Sequence, residues 1–166
     1  MDPAIDLGQD PGRQLLRHTV ATLAYRGGKT LRGAPETFAD FQVSEGTRTP
    51  AQILAHIGDL MDWAYSQAAG AEAWHNSDPL PWTQEVDRFF AALKKFDDYL
   101  ASQAPLHTAA EQLFQGAVAD ALTHVGQLAM LRRLAGAPVK GENYSRAEIA
   151  AGRVAAEQTP PGREFD

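Results

Sequence analysis

Apolar residues recur every three or four positions over four long stretches of the chain, which is the spacing of a helix with one buried face. The first stretch covers about residues 11–26, and the second runs from Thr49 to Gly70. The third covers about residues 83–103, and the fourth runs from about residue 108 to residue 134. No stretch alternates apolar and polar residues as a half-exposed strand does. The pattern therefore predicts an all-α protein built as a four-helix bundle.

Residues that begin and end helices support these boundaries. Asp10 is placed to cap a first helix that begins with Pro11. The pair Gly27 and Gly28 is expected to end that helix. A capping box, in which Ser or Thr is followed three residues later by Glu or Gln, predicts further helix starts at Thr49, Thr108 and Ser145. The last of these predicts a short C-terminal helix that extends to about residue 151.

The connection between the first two helices is long for a bundle. No period persists over residues 29–48, and Pro35 and Gly46 interrupt this stretch. We therefore predict a crossover after the first helix rather than a simple up-down arrangement. Phe38 and Phe41 are expected to pack back against the core from this crossover.

The composition of the 166 residues fits a single domain over 1–166, because 44% are hydrophobic and 22% are charged. We expect a bundle core over about 10–136 and a C-terminal extension over 137–166. The net charge of −6 argues against binding to nucleic acid or to an anionic membrane surface. The chain has no Cys, which excludes disulfides, a thiolate nucleophile and Cys-ligated metals.

Neither a signal sequence nor a membrane span is predicted. The N-terminal residues lack a basic, apolar signal-like run, and no later stretch reaches the ~18 uncharged apolar residues of a membrane span. The sequence therefore predicts a cytoplasmic protein.

Three ionisable residues fall on helix stripes that should face the core. His56 lies three residues after Ile53 and four before Leu60, and Asp120 and His124 share one face of the fourth helix. A bundle can hold a divalent metal with two ligands at i and i+4 on one helix and a third on a facing helix. A hydrogen-bonded core histidine and a helical ion pair explain the same spacing, so both interpretations stay open on spacing alone.

The other histidines and two of the tryptophans carry weaker signals. His18 lies near the edge of the first helical stripe, and His75 and His107 are interpreted as loop residues. Trp63 and Trp82 are interpreted as packing residues at the rim or in the core rather than as a platform for substrate.

Two segments resemble the DinB-like superfamily: RTPAQILAHI at residues 48–57 and DALTHVGQL at residues 120–128. In that family, Ser/Thr-Pro-x-x-x-Leu-x-His opens the second helix, and the fourth carries His-x-x-x-His followed closely by Gly-Gln-Leu. The resemblance covers about residues 10–136. It implies a four-helix bundle in up-down-down-up order with a long first crossover.

The resemblance also implies a metal site. By this resemblance, His56, Asp120 and His124 occupy the three metal-ligand positions. Asp120 stands where the family usually has His, which lowers the positive charge of the site by one and favours harder metals, or leaves the site vacant. Zinc or nickel are the first expectations for the ion, with manganese or iron as alternatives.

The implied function is that of a metal-dependent enzyme. The family includes thiol-dependent S-transferases and a thiol-dependent isomerase. The resemblance therefore implies such an enzyme acting on a small electrophilic substrate, with a low-molecular-weight thiol as cosubstrate, and a homodimeric assembly. The alternative is a non-catalytic, dimerising, stress-associated bundle, or a small-ligand carrier, with a vestigial metal site.

Overall fold

A computed structural model describes residues 10–165 of the chain, and four helices dominate it. They are α1 (Pro11–Leu31), α2 (Pro50–Ala68), α3 (Trp82–Ala101) and α4, which spans residues 110–134. The remaining regular elements are 3-10 turns at Glu36–Asp40 and Tyr144–Arg146, and the antiparallel strands β1 (Gly141–Glu142) and β2 (Glu164–Phe165). The all-α prediction is confirmed. The prediction that the chain has no signal sequence concerns residues 1–9, and these lie outside the described residues.

Helices α2 and α3 run parallel. The Arg88 side chain donates to the Ala55 carbonyl near the first half of both helices, and the rings of Tyr65 and Tyr99 meet near their ends, 5.6 Å apart. A 19-residue helix is about 28 Å long, so the chain must return along that length before α3 can begin. Residues 69–81 make this return, and we call them the return segment.

Two further packed pairs, α1 with α3 and α2 with α4, run antiparallel, whereas α1 and α4 run parallel. Arg13 at the start of α1 donates to the Leu100 carbonyl at the end of α3, and Thr108 before α4 donates to the Gln67 carbonyl at the end of α2. Both α1 and α2 pack against α3 and α4, so α1 and α2 occupy opposite corners of the bundle. These directions give the predicted up-down-down-up order.

The crossover between α1 and α2 packs against the core as predicted. Phe38 is fully buried, and its ring meets the edge of Trp82 at 5.6 Å. Phe41 is half-buried against the same core. The crossover therefore closes one end of the bundle and leads the chain into α2.

The prediction that Gly27 and Gly28 end α1 is wrong, because the helix continues to Leu31. A side chain at Gly27 would place its Cβ 2.6 Å from the ring of the buried Phe89 on α3. A Cβ at Gly28 would lie 3.4 Å from the ring of Phe90. These glycines therefore allow α1 and α3 to approach closely around two aromatic rings.

Gly27→Ala is expected to destabilise the fold, by up to about 2 kcal/mol. The added methyl overpacks against Phe89, and this cost exceeds the helix propensity gained over glycine. Gly126→Ala is the matched control, because Gly126 is exposed on α4 and its Cβ would meet no atom within 4 Å. That change should stabilise by about 0.5–1 kcal/mol. Urea unfolding measures both, and two changes of the same sign would contradict the packing role of Gly27.

Only one of the three capping boxes forms. Thr49 Oγ1 accepts from the Gln52 amide at 3.2 Å, and Gln52 Oε1 accepts from the Thr49 amide at 2.9 Å. The box at Thr108 is wrong, because its hydroxyl donates to the end of α2 instead of capping α4. The box at Ser145 is also wrong, because Asn143 caps this turn and accepts from the Ser145 amide. The C-terminal helical segment is consequently a single 3-10 turn that ends at Arg146.

A π-helical turn interrupts α4 just before the candidate metal ligands. The helix is α-helical over Ala110–Leu113, π-helical over Phe114–Val118 and α-helical again over Ala119–Leu134. A π turn adds one residue to the helix and rotates all later side chains by about 100°. Two consecutive residues, Ala117 and Val118, are accordingly both buried.

The C-terminal extension packs onto α1. Glu142 of β1 accepts hydrogen bonds from Tyr25 and Lys29, and Glu164 of β2 accepts a second one from Lys29. Val154 is buried against the core. Among residues 10–165, no helix is long and apolar enough to cross a membrane.

Candidate metal site

The structure brings together the three residues that the sequence singled out. His56 is on α2, and Asp120 and His124 are on the second half of α4. One ligand atom from each lies within 4.8 Å of the others. Asp120 Oδ2 is 3.7 Å from His56 Nε2, and Asp120 Oδ1 is 3.5 Å from His124 Nε2. The carboxylate therefore lies between the two imidazoles.

The three side chains lie at the edge of the bundle rather than within its core. Their side-chain exposures are 20% for His56, 12% for His124 and 48% for Asp120. The fully buried stripe of α4 after the π turn instead contains Ala121, Val125 and Leu128. The inward placement that the spacing predicted for Asp120 is therefore only partial, because the π turn shifts the register of α4.

A hydrogen bond fixes the ring of His124. His124 Nδ1 lies 2.7 Å from Gln127 Oε1. An amide oxygen only accepts, so Nδ1 is the donor in this contact, and in the neutral ring Nε2 then carries the lone pair. The lone pair of Nε2 and the Asp120 carboxylate oxygen, both acceptors, are then 3.5 Å apart. Two acceptors at this separation favour a cation between them.

The surroundings of His56 favour its neutral form. Burial lowers the pKa of His56, and the nearby charges of His124 and Arg48 lower it further, while Asp120 acts in the opposite direction. The net shift is downward. Neutral imidazole is the form that binds a metal ion, so the ring is ready to serve as a ligand at neutral pH.

Gln127→Met is expected to weaken metal binding about 10- to 100-fold, because His124 then loses the partner that fixes its tautomer and orientation. Gln127→Glu keeps an acceptor at the same position and should retain most of the affinity. Gln112→Met, at an exposed position early in α4, is the control and should bind normally. Competition titration with a zinc chelator measures all three. If Gln127→Met and the native chain bound zinc with equal affinity, Gln127 would have no role in supporting the site.

Two tryptophans close one side of the candidate site. The ring of Trp74, on the return segment, meets the edge of His56 at 5.8 Å and that of Trp63 at 5.7 Å. Trp63 donates from Nε1 to Glu72 at 2.9 Å. Trp63 therefore packs at the rim of the site, as predicted, and helps to hold the return segment over α2.

A second cluster of acidic and imidazole groups lies next to the first, and the sequence did not indicate it. Asp59 and Asp62 of α2 face His75 of the return segment, with distances of 3.0 and 3.3 Å to the two ring nitrogens. His75 is a loop residue, as predicted, but it is separated from α2 in sequence. Its position was not predictable because it depends on the path of the return segment.

The hydrogen bonds that Asp59 accepts explain this second cluster without a metal ion. The buried Asp59 carboxylate accepts from the Ser77 amide at 2.8 Å, from the Ser77 hydroxyl at 2.7 Å and from Arg88. Burial alone would raise the pKa of Asp59, but these donors outweigh it and hold the pKa below its ordinary value. A dication here would have to displace the guanidinium, so we interpret Asp59 as the anchor of the return segment.

A polar cavity of about 420 Å³ opens beside His56. The crossover, the first three turns of α2 and the return segment form its walls. A second depression, of about 450 Å³, lies on the other side of the cluster and is lined by Trp63, Gln115 and Asp120. The candidate site is therefore reachable from solvent through each of these two depressions.

No known family, curated protein or solved structure matches the chain. The function therefore has to be argued from the arrangement of His56, Asp120 and His124 and from the cavities that adjoin it.

Proposed function

We propose that the protein is a divalent-metal-dependent enzyme in which His56, Asp120 and His124 hold the ion. One observation carries the proposal. His124 Nε2 faces the Asp120 carboxylate at 3.5 Å, with His56 on the other side of the carboxylate, and all three groups lie within 4.8 Å. In the part of the chain that the structure describes, the Asp120 carboxylate has only these two imidazoles as close polar partners.

The donor set fits a first-row divalent metal. Two imidazole nitrogens and one carboxylate oxygen are ligands that zinc, nickel, iron and manganese accept. Zinc or nickel is the first expectation, and the oxygen of Asp120 makes manganese or iron the alternatives. Three protein ligands leave a coordination position open, which distinguishes catalytic from structural sites.

The protein's own residues would orient the metal ligands and shield them from solvent on one side. Gln127 orients His124, and Trp74 shields His56 from solvent on one side. When bound, the ion would stabilise a thiolate or hydroxide at neutral pH. Because the chain has no Cys, a thiolate nucleophile has to come from outside. A low-molecular-weight thiol attacking a small electrophile, in an S-transferase or isomerase reaction, agrees with the resemblance to the DinB-like superfamily.

The second candidate is a non-catalytic bundle that forms dimers, or a small-ligand carrier, with a vestigial metal site. Exposed large apolar side chains on α1 and α4 favour self-association, namely Leu15, Phe114, Met130 and Leu134. In this case, His56 and His124 would be structural partners of Asp120 and would account for the cluster without a metal.

The test begins with untagged protein, so that tag histidines do not bind metal. The chain is dialysed, reloaded with zinc, nickel or manganese, and assayed for thiol consumption with a panel of low-molecular-weight thiols and small electrophiles. Enzymatic function requires acceleration that depends on the metal and is lost in His56→Ala. A stoichiometric metal without acceleration by any pair would favour the carrier, and no metal at all would favour the dimerising bundle.

A further inference from the structure

The polar cavity beside His56 has the size of a small-molecule site. Its volume of about 420 Å³ lies within the range of about 300–1,000 Å³ that is usual for such sites. Residues of the crossover form one wall and residues 76–79 of the return segment form the opposite wall. His56 lies on the α2 wall, so a molecule in this cavity would reach the proposed metal.

Two amide side chains of the cavity wall, those of Gln42 and Gln52, are already engaged. Gln42 donates to the Thr47 carbonyl at 2.9 Å, and Gln52 accepts from the Thr49 amide at 2.9 Å. These bonds hold the crossover against the start of α2. Arg48 lies between them in the chain, and its guanidinium makes no hydrogen bond or ion pair with any of residues 10–165.

The charges around the cavity leave Arg48 as its available cation. Asp59 lines the cavity, but Arg88 and Ser77 compensate its carboxylate. Asp78 adds one exposed carboxylate on the return segment. One guanidinium and one carboxylate on the cavity wall suit a singly charged group, since a phosphate dianion would meet repulsion from Asp78 without a second cation on that wall.

We propose that this cavity binds a small carboxylate-bearing substrate, whose carboxylate pairs with Arg48 while the rest of the molecule points towards His56. This inference rests on the proposed function, because it names the substrate class of the same site. A guanidinium binds a carboxylate through two parallel hydrogen bonds, which would orient the substrate as well as retain it. The substrate is therefore a small electrophilic carboxylic acid.

The test is an NMR titration of the full-length chain with butyrate, in metal-free and in zinc-loaded samples. Butyramide is the neutral probe of the same shape, and inorganic phosphate is the competing anion. We expect saturable shifts of the Arg48 Nε–H and of the Asn76 side-chain amide with butyrate. Arg48→Gln should weaken binding about tenfold or more. Arg133→Gln, at an exposed position on α4, should leave it unchanged.

Equal binding of butyramide and butyrate, or unchanged binding in Arg48→Gln, would overturn the inference. Tighter binding of phosphate than of butyrate would overturn the carboxylate assignment. The zinc titration separates this result from the proposed function. Butyrate shifts that depend on Arg48 without any zinc binding would uphold the anion site and contradict the metal enzyme. Zinc binding without butyrate shifts would uphold the metal site and contradict the anion site.

Discussion

Replacing His124 with alanine is expected to abolish stoichiometric zinc binding. His124 provides the ring nitrogen that faces Asp120 at 3.5 Å, and no other imidazole among the described residues is placed to replace it in this group. The loss should exceed the about 10- to 100-fold decrease that removal of a supporting residue causes. His56→Ala and Asp120→Ala should have the same effect. Elemental analysis after dialysis, followed by zinc titration, measures the change.

The same variants should keep the fold. The site lies at the edge of the bundle, so His124→Ala removes little of the buried core, and helical circular dichroism should match that of the native chain. His18→Ala is the matched control, since His18 is exposed on α1 away from the site. One zinc per chain in all three site variants would rule out this site. Zinc lost only from Asp59→Ala would place the ion in the second cluster instead.

The helices were predictable where local rules and packing agree. The apolar spacing of α2 and the capping box at Thr49 describe the same helix start, and both are satisfied in the structure. The shared face of Asp120 and His124 was also predictable, because residues at i and i+4 on one helix always share a face. The approach of His56 to these two residues followed from the bundle, in which α2 and α4 are neighbours.

Features that depend on tertiary contacts were not predictable in this way. Glycine is usually a signal for the end of a helix, but Gly27 is kept inside α1 because Phe89 fills the space next to it. The contact of His75 with Asp59 depends on the return segment, which exists only because α2 and α3 are parallel. The π turn has no periodic signature of its own, and it moved Asp120 towards solvent.

The attachment of the C-terminal extension to α1 is the other site where a single change should have a large effect. Lys29 donates to Glu142 at 2.7 Å and to Glu164 at 2.9 Å, and Tyr25 donates to Glu142 at 2.6 Å. The Glu142 side chain is 0% exposed and that of Lys29 is 7% exposed. Glu142 is therefore a buried carboxylate whose charge is balanced by Lys29.

Lys29→Met is expected to destabilise the fold by about 3–5 kcal/mol, because it leaves the Glu142 charge buried without its cation. The double change Lys29→Met with Glu142→Gln should recover much of this loss, since it removes the unpaired charge as well. Glu164→Gln is the control, because Glu164 is partly exposed and solvent screens its ion pair, so its loss of stability should be much smaller. Urea unfolding provides all three values.

The pH dependence of unfolding gives this pair a separate test. Burial alone would lower the pKa of Lys29, but the hydrogen bonds to Glu142 and Glu164 outweigh it and raise the pKa. A raised lysine pKa contributes stability that is complete below the unfolded value and is lost as the pH rises through the folded value, above about pH 10.4.

The contribution of Glu164 is lost at the acidic end. Its hydrogen bond from Lys29 lowers the pKa of Glu164, so its stabilisation is present above the unfolded pKa and is lost as the pH falls below about 4.3. The difference between Glu164→Gln and the native chain should consequently be constant from about pH 6 to about pH 9. If this difference disappeared within that range, Glu164 would not be held by the Lys29 ammonium, and the assignment of their ion pair would be wrong.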